Sequence, residues 1–303
     1  MSSWHPGEED REPKSSSARG KCTLAPGLYV ISTPIGNARD ITLRALDVIS
    51  AADLVLAEDT RVTAKLCSIH GLHVPLATYN DHNAARERPR ILKRLQAGAR
   101  VALVSDAGTP LVSDPGFKLV REVAREGLPV EVVPGPSAVL AALVLSALPS
   151  DRFLFAGFLP VRNAERRRVL EELRSIRATL IFFESPRRVG ESLADIYTVF
   201  GERNAAVMRE VTKLHQETSR GTLSALSSRY SGKDGYPRGE ITIAVEGRTT
   251  EPPDQVQRLS PALVRAMKAM PLREAVDLIA EASGESRSKL YARALTLKDN
   301  AEA

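Results

Sequence analysis

The stretch that most constrains the fold is Val101-Ala-Leu-Val-Ser-Asp-Ala-Gly-Thr-Pro-Leu-Val-Ser-Asp-Pro-Gly116. Its first four residues form a short apolar run, as expected of a strand buried on both faces of a parallel sheet. The run then breaks into small, hydroxyl-bearing and acidic residues. Ser113 or Asp114 is placed to N-cap a helix with Pro115 at its first position, continuing through Phe117-Lys-Leu-Val-Arg-Glu-Val-Ala124. A strand that empties into a small-residue loop and then a helix start is where open α/β sheets bind ligands. Gly108 admits a ligand close to the backbone, and Ser105, Thr109 and Ser113 offer short polar contacts. An ordinary β–α connection is shorter and less polar, so this one reads as a ligand loop.

Other segments repeat the pattern. Leu28–Ser32 reads as a strand running into Thr33-Pro-Ile-Gly-Asn37, with Asp40 capping a helix that carries Ile41, Leu43, Leu46, Val48 and Ile49. A parallel sheet would set this loop beside residues 105–114. Asp53–Ala57 is a strand closing on Glu58-Asp-Thr-Arg61, which reads either as an ion-pair network or as a polar cluster on the cleft. A weak strand near Val74–Ala77 precedes Tyr79-Asn-Asp-His-Asn83 and a basic helix over Ala84–Gln96. Pro129–Val133 is a strand, and Pro134-Gly-Pro-Ser137 opens an apolar helix over Ala138–Leu148. The first N–H groups of that helix are a seat for a carboxylate or phosphate.

The pattern restarts near Pro149-Ser150-Asp151. Strands over Arg152–Ala156, Thr179–Phe183, Ala205–Met208 and Gly239–Val245, with a basic helix over Asn163–Ser175, argue for a second α/β domain with a mixed sheet. The expected division is a disordered tail over 1–23, α/β domains over 24–148 and 149–247, a linker over 248–258 and a helical appendix over 259–303. Short helices are expected over Ser260–Ala269, Leu272–Ala282 and Ser286–Leu295. The last two read equally as a helix-turn-helix or as a packing appendix.

Charge is unevenly placed along the chain. The net is +5, yet Arg86–Arg100 carries six basic residues against one acidic, and Arg162–Arg188 and Arg258–Lys298 each carry eight against four. The remainder is therefore acidic, and three basic zones point to a polyanionic partner. Cys22 and Cys67 stand alone, without metal-ligand spacing, which implies a reducing compartment and no zinc site. With no signal-peptide core and no apolar run long enough to span a bilayer, the expectation is a cytoplasmic protein without membrane contact. The signatures of dinucleotide oxidoreductases, P-loop NTPases, zinc hydrolases and α/β-hydrolases are absent.

Thr33-Pro-Ile-Gly-Asn37, Ala57-Glu-Asp-Thr-Arg61, Ser105–Gly116 and Pro134-Gly-Pro-Ser-Ala138 occur in the order and spacing of the tetrapyrrole-methylase superfamily. With Asp151-Arg-Phe153, Gly157-Phe-Leu-Pro160, Phe183-Glu-Ser-Pro-Arg-Arg188 and Arg209-Glu-Val-Thr-Lys213, the chain more closely resembles the RsmI family, the small-subunit rRNA 2′-O-ribose methyltransferases. The likeness runs from about Leu28 to Gly247, and Leu272–Tyr291 resembles the C-terminal segment of many members. Arg187 departs from it, standing where the family often has His.

The resemblance implies an α/β, two-domain, class III S-adenosylmethionine methyltransferase fold with a small helical appendix, working as a homodimer with the cofactor between the domains. It places Ser105, Asp106, Gly108, Thr109, Pro110, Ser137 and Ala138 on the methionine and ribose of S-adenosylmethionine, and Phe183, Val211 and Ile241 at the adenine. It puts Pro34, in the Thr33–Asn37 loop, at the cleft mouth. The implied substrate is 16S rRNA in the small ribosomal subunit, methylated on the ribose of a decoding-centre cytidine (position 1402).

Methyl transfer from a sulfonium is an in-line displacement, and a ribose hydroxyl needs a base within hydrogen-bond reach. Asp59, Glu184 and Glu210 are the candidate bases, all at strand ends; Lys213 joins them as a candidate catalytic or phosphate-holding cation. Arg61, Asn80, His82, Arg166, Arg167, Arg168, Arg187 and Arg188 are the candidate RNA contacts. A small-molecule tetrapyrrole-type methylase, or an RNA-binding module with a vestigial cofactor fold, remain the alternatives.

Overall fold

A computed structural model describes residues 23–231, 238–248 and 255–302. Most of the expected tail, over 1–22, and residues 249–254 of the expected linker lie outside the described residues.

The first half builds an all-parallel sheet in the order β3-β2-β4-β1-β5. Its strands are β1 (Gly27–Ile31), β2 (Leu54–Ala57), β3 (Leu76–Thr78), β4 (Arg100–Val104) and β5 (Val130–Val133). β4 lies between β1 and β2, so Val101–Val104 are buried on both sides, as their unbroken apolar run requires. One face packs Ile31, Val55, Ala102 and Val104 against α1 (Leu43–Ala51) and α2 (Thr60–Ile69). The other packs Leu28, Leu56, Val101 and Leu103 against α3 (Ala84–Gln96) and α4 (Phe117–Arg125).

The second half is a mixed sheet in the order β6-β7-β10-β8-β9. It comprises β6 (Phe153–Phe158), β7 (Thr179–Glu184), β8 (Asn204–Arg209), β9 (Glu217–Thr222) and β10 (Ile241–Val245). β10 runs antiparallel to both β7 and β8. Its outer face is covered by α6 (Asn163–Leu173), α7 (Val189–Phe200) and α8 (Leu223–Tyr230). Its inner face takes α5 (Ala138–Ser146) from the first half: Val139, Ala142 and Leu143 pack on Ile181, Ala206, Met208 and Ala244. That contact accounts for the buried apolar face of α5, while Leu140 and Val144 on the same helix stay exposed. The remaining helices, α9 (Gln255–Ala269), α10 (Leu272–Ser283) and α11 (Arg287–Glu302), enclose a small core of Val256, Leu263, Val276, Leu290 and Ala294.

Several sequence expectations are corrected. Neither Ser113 nor Asp114 caps α4. That helix starts at Phe117 behind Gly116, because Leu111 and Ser113 sit in the left-handed region and keep the loop irregular for longer. Asp40 lies in a 3-10 turn (Ala38–Asp40), and Thr42 caps α1 instead, its hydroxyl accepting from Ala45 N at 3.1 Å. The expected linker is too long, since α9 begins at Gln255. β9 escapes sequence reading because Glu-Thr-Ser-Arg-Gly-Thr has no apolar alternation; as an edge strand it needs none.

Candidate active site between the two sheets

The C-terminal ends of β1 and β4 meet as the parallel sheet demands. Thr33 N donates to Gly108 O at 2.8 Å and Gly108 N to Thr33 O at 3.1 Å. Thr33 Oγ1 donates to Ser105 O, and the Ser32 and Thr109 hydroxyls lie 2.8 Å apart. Gly108 has φ +78, a conformation that favours glycine. These bonds hold the ligand loop rigid while leaving its outer side to a cavity of about 350 Å³.

Both halves wall this first cavity. Gly108, Thr109 and Asp114 come from the loop after β4, and Ser137 and Ala138 from the start of α5. The opposite wall is Phe158, Phe183 and the 239–242 stretch. Phe183 packs edge-on against Phe155 and Phe158, with centroids 4.7 and 5.6 Å away. Because β10 is reversed, its first residue, Ile241, pairs with Glu184 and Arg209 at the ends of its neighbours. This reversal carries Glu240 to the cleft edge.

A second, more open cavity of about 220 Å³ abuts the first and shares Ile35, Ala107 and Glu240 with it. Pro34, Gly36, Ser105, Asp106 and Lys213 line it. Lys213 Nζ donates to Glu210 Oε1 at 2.8 Å and to Glu240 Oε2 at 3.1 Å. Burial works against the ammonium, but the two carboxylates outweigh it and raise its pKa. Lys213 is therefore a fixed cation rather than a base. A Cβ on Gly36 would run into Lys213 Cγ and Cε, so only glycine allows this approach. Glu210 and Thr212 both have left-handed backbones, φ +51 and +66, and the Thr212 hydroxyl is buried without a partner. Strain is thus concentrated where the Lys213 loop faces the Thr33–Asn37 loop.

The candidate bases separate by partner. Asp59 caps α2 and spends its carboxylate on Arg61, whose side-chain bonds hold it at about 2; it lines neither cavity. Glu184 is buried and saturated by Ser185 N, Ser192 Oγ and the Arg188 guanidinium. Glu210 is held by Lys213 and by Glu240 N, which lower its pKa. Asp106 lines the second cavity, and one of its oxygens accepts from Asp59 N at 3.0 Å. Asp114, which sequence reasoning considered only as a helix cap, lines the first cavity. Burial pushes it up to about 6, with the Asp106 charge adding to the effect and a Ser105 hydrogen bond opposing it.

Of the remaining sequence candidates, Gly108, Thr109, Ser137, Ala138, Phe183 and Ile241 line the first cavity, whereas Pro34, Ser105 and Asp106 line the second. Pro110 is buried and lines neither; Val211 instead packs beside the α5 contact. Phe158 and Glu240 were missed. The signal for Phe158 was its place at a strand end; Glu240 had none until the direction of β10 was known.

The RNA candidates also divide. Arg61, His82, Arg168 and Arg187 are exposed. Arg167 is half-exposed but bonded to Asp195, Arg188 is tied to Glu184 and Leu159 O, and Asn80 exchanges bonds with Asn83. Arg166 is corrected outright. It is 2% exposed and pinned by Asp195 and the carbonyls of Pro160 and Val161, so it fastens α6 to α7 and is out of reach of RNA.

The profile of the tetrapyrrole (corrin/porphyrin) methylases matches residues 27–227, and that of the RsmI C-terminal HTH domain matches residues 252–298. The ribosomal RNA small subunit methyltransferase I of Mesorhizobium japonicum is 49% identical over 280 residues, 91% of this chain and 94% of that protein. The chain belongs to the ribosomal RNA small subunit methyltransferase I family. The relative of the same name in Pseudomonas aeruginosa is 42% identical over 273 residues, 88% of this chain and 96% of that one. Among solved structures, the uroporphyrin-III C-methyl transferase of Thermus thermophilus complexed with S-adenyl homocysteine shares the fold. It superposes with a TM-score of 0.51 at 19% identity, covering 72% of this chain and 96% of that chain.

Members of the family are S-adenosylmethionine-dependent methyltransferases, and this member's first cavity suits that cofactor. It pairs an aromatic and aliphatic wall with the small residues Gly108, Thr109, Ser113, Ser137 and Ala138, as suits a half-apolar nucleoside joined to a zwitterionic amino acid. No described helix is long and apolar enough to cross a membrane.

Proposed function

We propose that this protein methylates the 2′-oxygen of a decoding-centre cytidine in 16S rRNA of the small ribosomal subunit, acting as a cytoplasmic homodimer. The observation that carries the reading is the pair of abutting cavities, one apolar-walled and one charged, sharing Ile35, Ala107 and Glu240. Gly108, Thr109, Ser137 and Ala138 would hold the polar parts of S-adenosylmethionine, with Phe183 and Ile241 against its base. Bound there, the cofactor supplies an electrophilic methyl group on a sulfonium.

The second cavity takes the acceptor ribose. Lys213, fixed between Glu210 and Glu240, holds the ribose and its phosphate in line for displacement. Asp106 takes the hydroxyl proton, since its second oxygen has no partner among the described residues while Asp59, Glu184 and Glu210 are each spent on a cation. The exposed Arg61, His82, Arg168 and Arg187 contact flanking phosphates. The homodimer reading is supported by α5, whose outer face exposes Leu140 and Val144 (52 and 79%) in the same half as the open sheet edge β5, where Val132 is also exposed.

The test uses labelled S-adenosylmethionine with purified small subunits lacking their native modification, followed by nuclease digestion. Label is expected on the 2′-oxygen of one cytidine. Tight cofactor binding with no transfer to subunits or to naked rRNA would overturn the reading.

A further inference from the structure

One wall of the second cavity is left unused by the chemistry above. It is α2, which brings Val62, Thr63, Lys65, Leu66 and Ile69 to the cavity lining. The helix is fastened to the site at both ends. At its start Asp59 N donates to Asp106, and just past its end His70 Nε2 donates to Ala38 O, both at 3.0 Å. The wall is therefore as fixed as the loops it borders.

Its composition is unlike that of an ordinary surface helix, whose outward side is polar. Val62, Leu66 and Ile69 are spaced i, i+4, i+7 and so share one side of α2. Thr63 and Cys67 are turned to the core, yet Val62 and Ile69 stay 42 and 57% exposed. Apolar surface scattered singly needs no explanation, whereas a file of it along one wall of a trough does. Two polar groups border that file. Thr63 is buried, lines the cavity and makes no side-chain hydrogen bond among the described residues. Lys65 is exposed and has no ion-pair partner among them, in contrast to Lys213.

An apolar ledge with a hydroxyl and an ammonium at its edge matches the parts of one unstacked nucleotide: a flat base, its polar edge and a phosphate. We propose that α2 is the base platform of the RNA site. The acceptor nucleotide's base lies against Val62, Leu66 and Ile69, with Thr63 bonded to its edge and Lys65 on the adjoining phosphate. A single hydroxyl both donates and accepts, so the platform holds a base without choosing between pyrimidines. The proposal rests on the second cavity receiving RNA, as argued above, but not on which nucleotide is methylated.

The experiment measures binding of single-stranded oligoribonucleotides of equal length, one of cytidine, one of uridine and one abasic, across a salt series. The full chain is saturated with S-adenosyl homocysteine, so that no base enters the first cavity. Wild type should bind the cytidine chain about tenfold better than the abasic one, and the uridine chain within about threefold of the cytidine chain. V62S/I69S should lose most of that preference with its salt dependence unchanged. L43S/V161S, whose exposed side chains line neither cavity, should keep it. K65Q should weaken all chains alike and lower the slope of log K against log salt by about 0.7. If the double serine variant melts early, I69S alone carries the test, with a loss of about threefold.

Equal binding of the cytidine and abasic chains by wild type, or a preference that V62S/I69S retains, overturns the platform. So does a fall in the molar mass of V62S/I69S by light scattering, which assigns the apolar file to a second copy of this chain. Methyl transfer is scored separately. A base preference that V62S/I69S removes, in a protein that methylates no RNA, leaves the platform standing and removes the function proposed above; transfer to one cytidine without any base preference does the reverse.

Discussion

The two abutting cavities share Ile35, Ala107 and Glu240 yet differ in kind. The first is walled by Phe158, Phe183, Ile241 and small residues on hydrogen-bonded loops. The second is shallower and takes its character from side-chain charge, Asp106 on one side and the Lys213–Glu210–Glu240 group on the other. Backbone and aromatic surface provide a fixed shape suited to one small molecule. A charged, more open trough instead suits part of a larger polyanion. The boundary between them is Ile35, Ala107 and Glu240, where a methyl group would cross.

Substitutions should therefore separate the two by what they spare. Lys213→Met removes the carboxylate-held cation from the second cavity, leaving Lys65, and is expected to cut methyl transfer about 100-fold while cofactor affinity, read by calorimetry, stays within about twofold. Loss of cofactor binding in that variant would mean that the cavities are one site. Phe183→Ala should do the reverse, weakening the cofactor about 30-fold and costing about 2–3 kcal/mol of stability by thermal melt, since it removes edge contacts to two rings. Gly36→Ala is subtler. The new Cβ displaces Lys213 without deleting it, so transfer should fall about tenfold with KM for RNA rising, and pairing it with Lys213→Met should add little.

The difference also explains what was legible in the sequence. The first cavity lies at the ends of strands whose apolar runs and small-residue exits are local signals, so Gly108, Thr109 and Ser137 could be singled out directly, whereas Phe183 came only with the family resemblance. The second depends on pairings across the chain. That Glu184 is neutralised by Arg188 and Ser192, or that Arg166 is buried against Asp195, is invisible until α6 and α7 are packed. A basic run reads alike whether its arginines face water or a buried carboxylate. Glu240 required the direction of β10, which no property of its own strand encodes. Asp114 sat in the most informative loop of the chain, yet as an expected helix cap it drew no chemistry.

Asp114 gives the smallest expected effect and the finest test of the boundary. Its pKa is raised from 3.8 to about 6, mainly by burial. Well below pH 3.8 the group is protonated whether the chain is folded or not, and it costs nothing. As the pH rises toward 6 the unfolded chain ionises while the folded one retains the proton, so stability is lost across that window and the penalty persists above it. Allowing for solvent screening at a half-buried site, the penalty is about 1 kcal/mol. Asp114→Asn should match wild type near pH 3 and be more stable by that amount at pH 7 in denaturant melts. Cofactor binding should move oppositely. A sulfonium in the first cavity favours the ionised carboxylate, so wild-type affinity should fall as the pH drops from 7 to 5, whereas that of the Asp114→Asn variant should stay level. A wild-type affinity that is flat in pH would place the sulfonium away from Asp114, nearer the Asp106 side, and would move the line between the two cavities to the far side of Ala107.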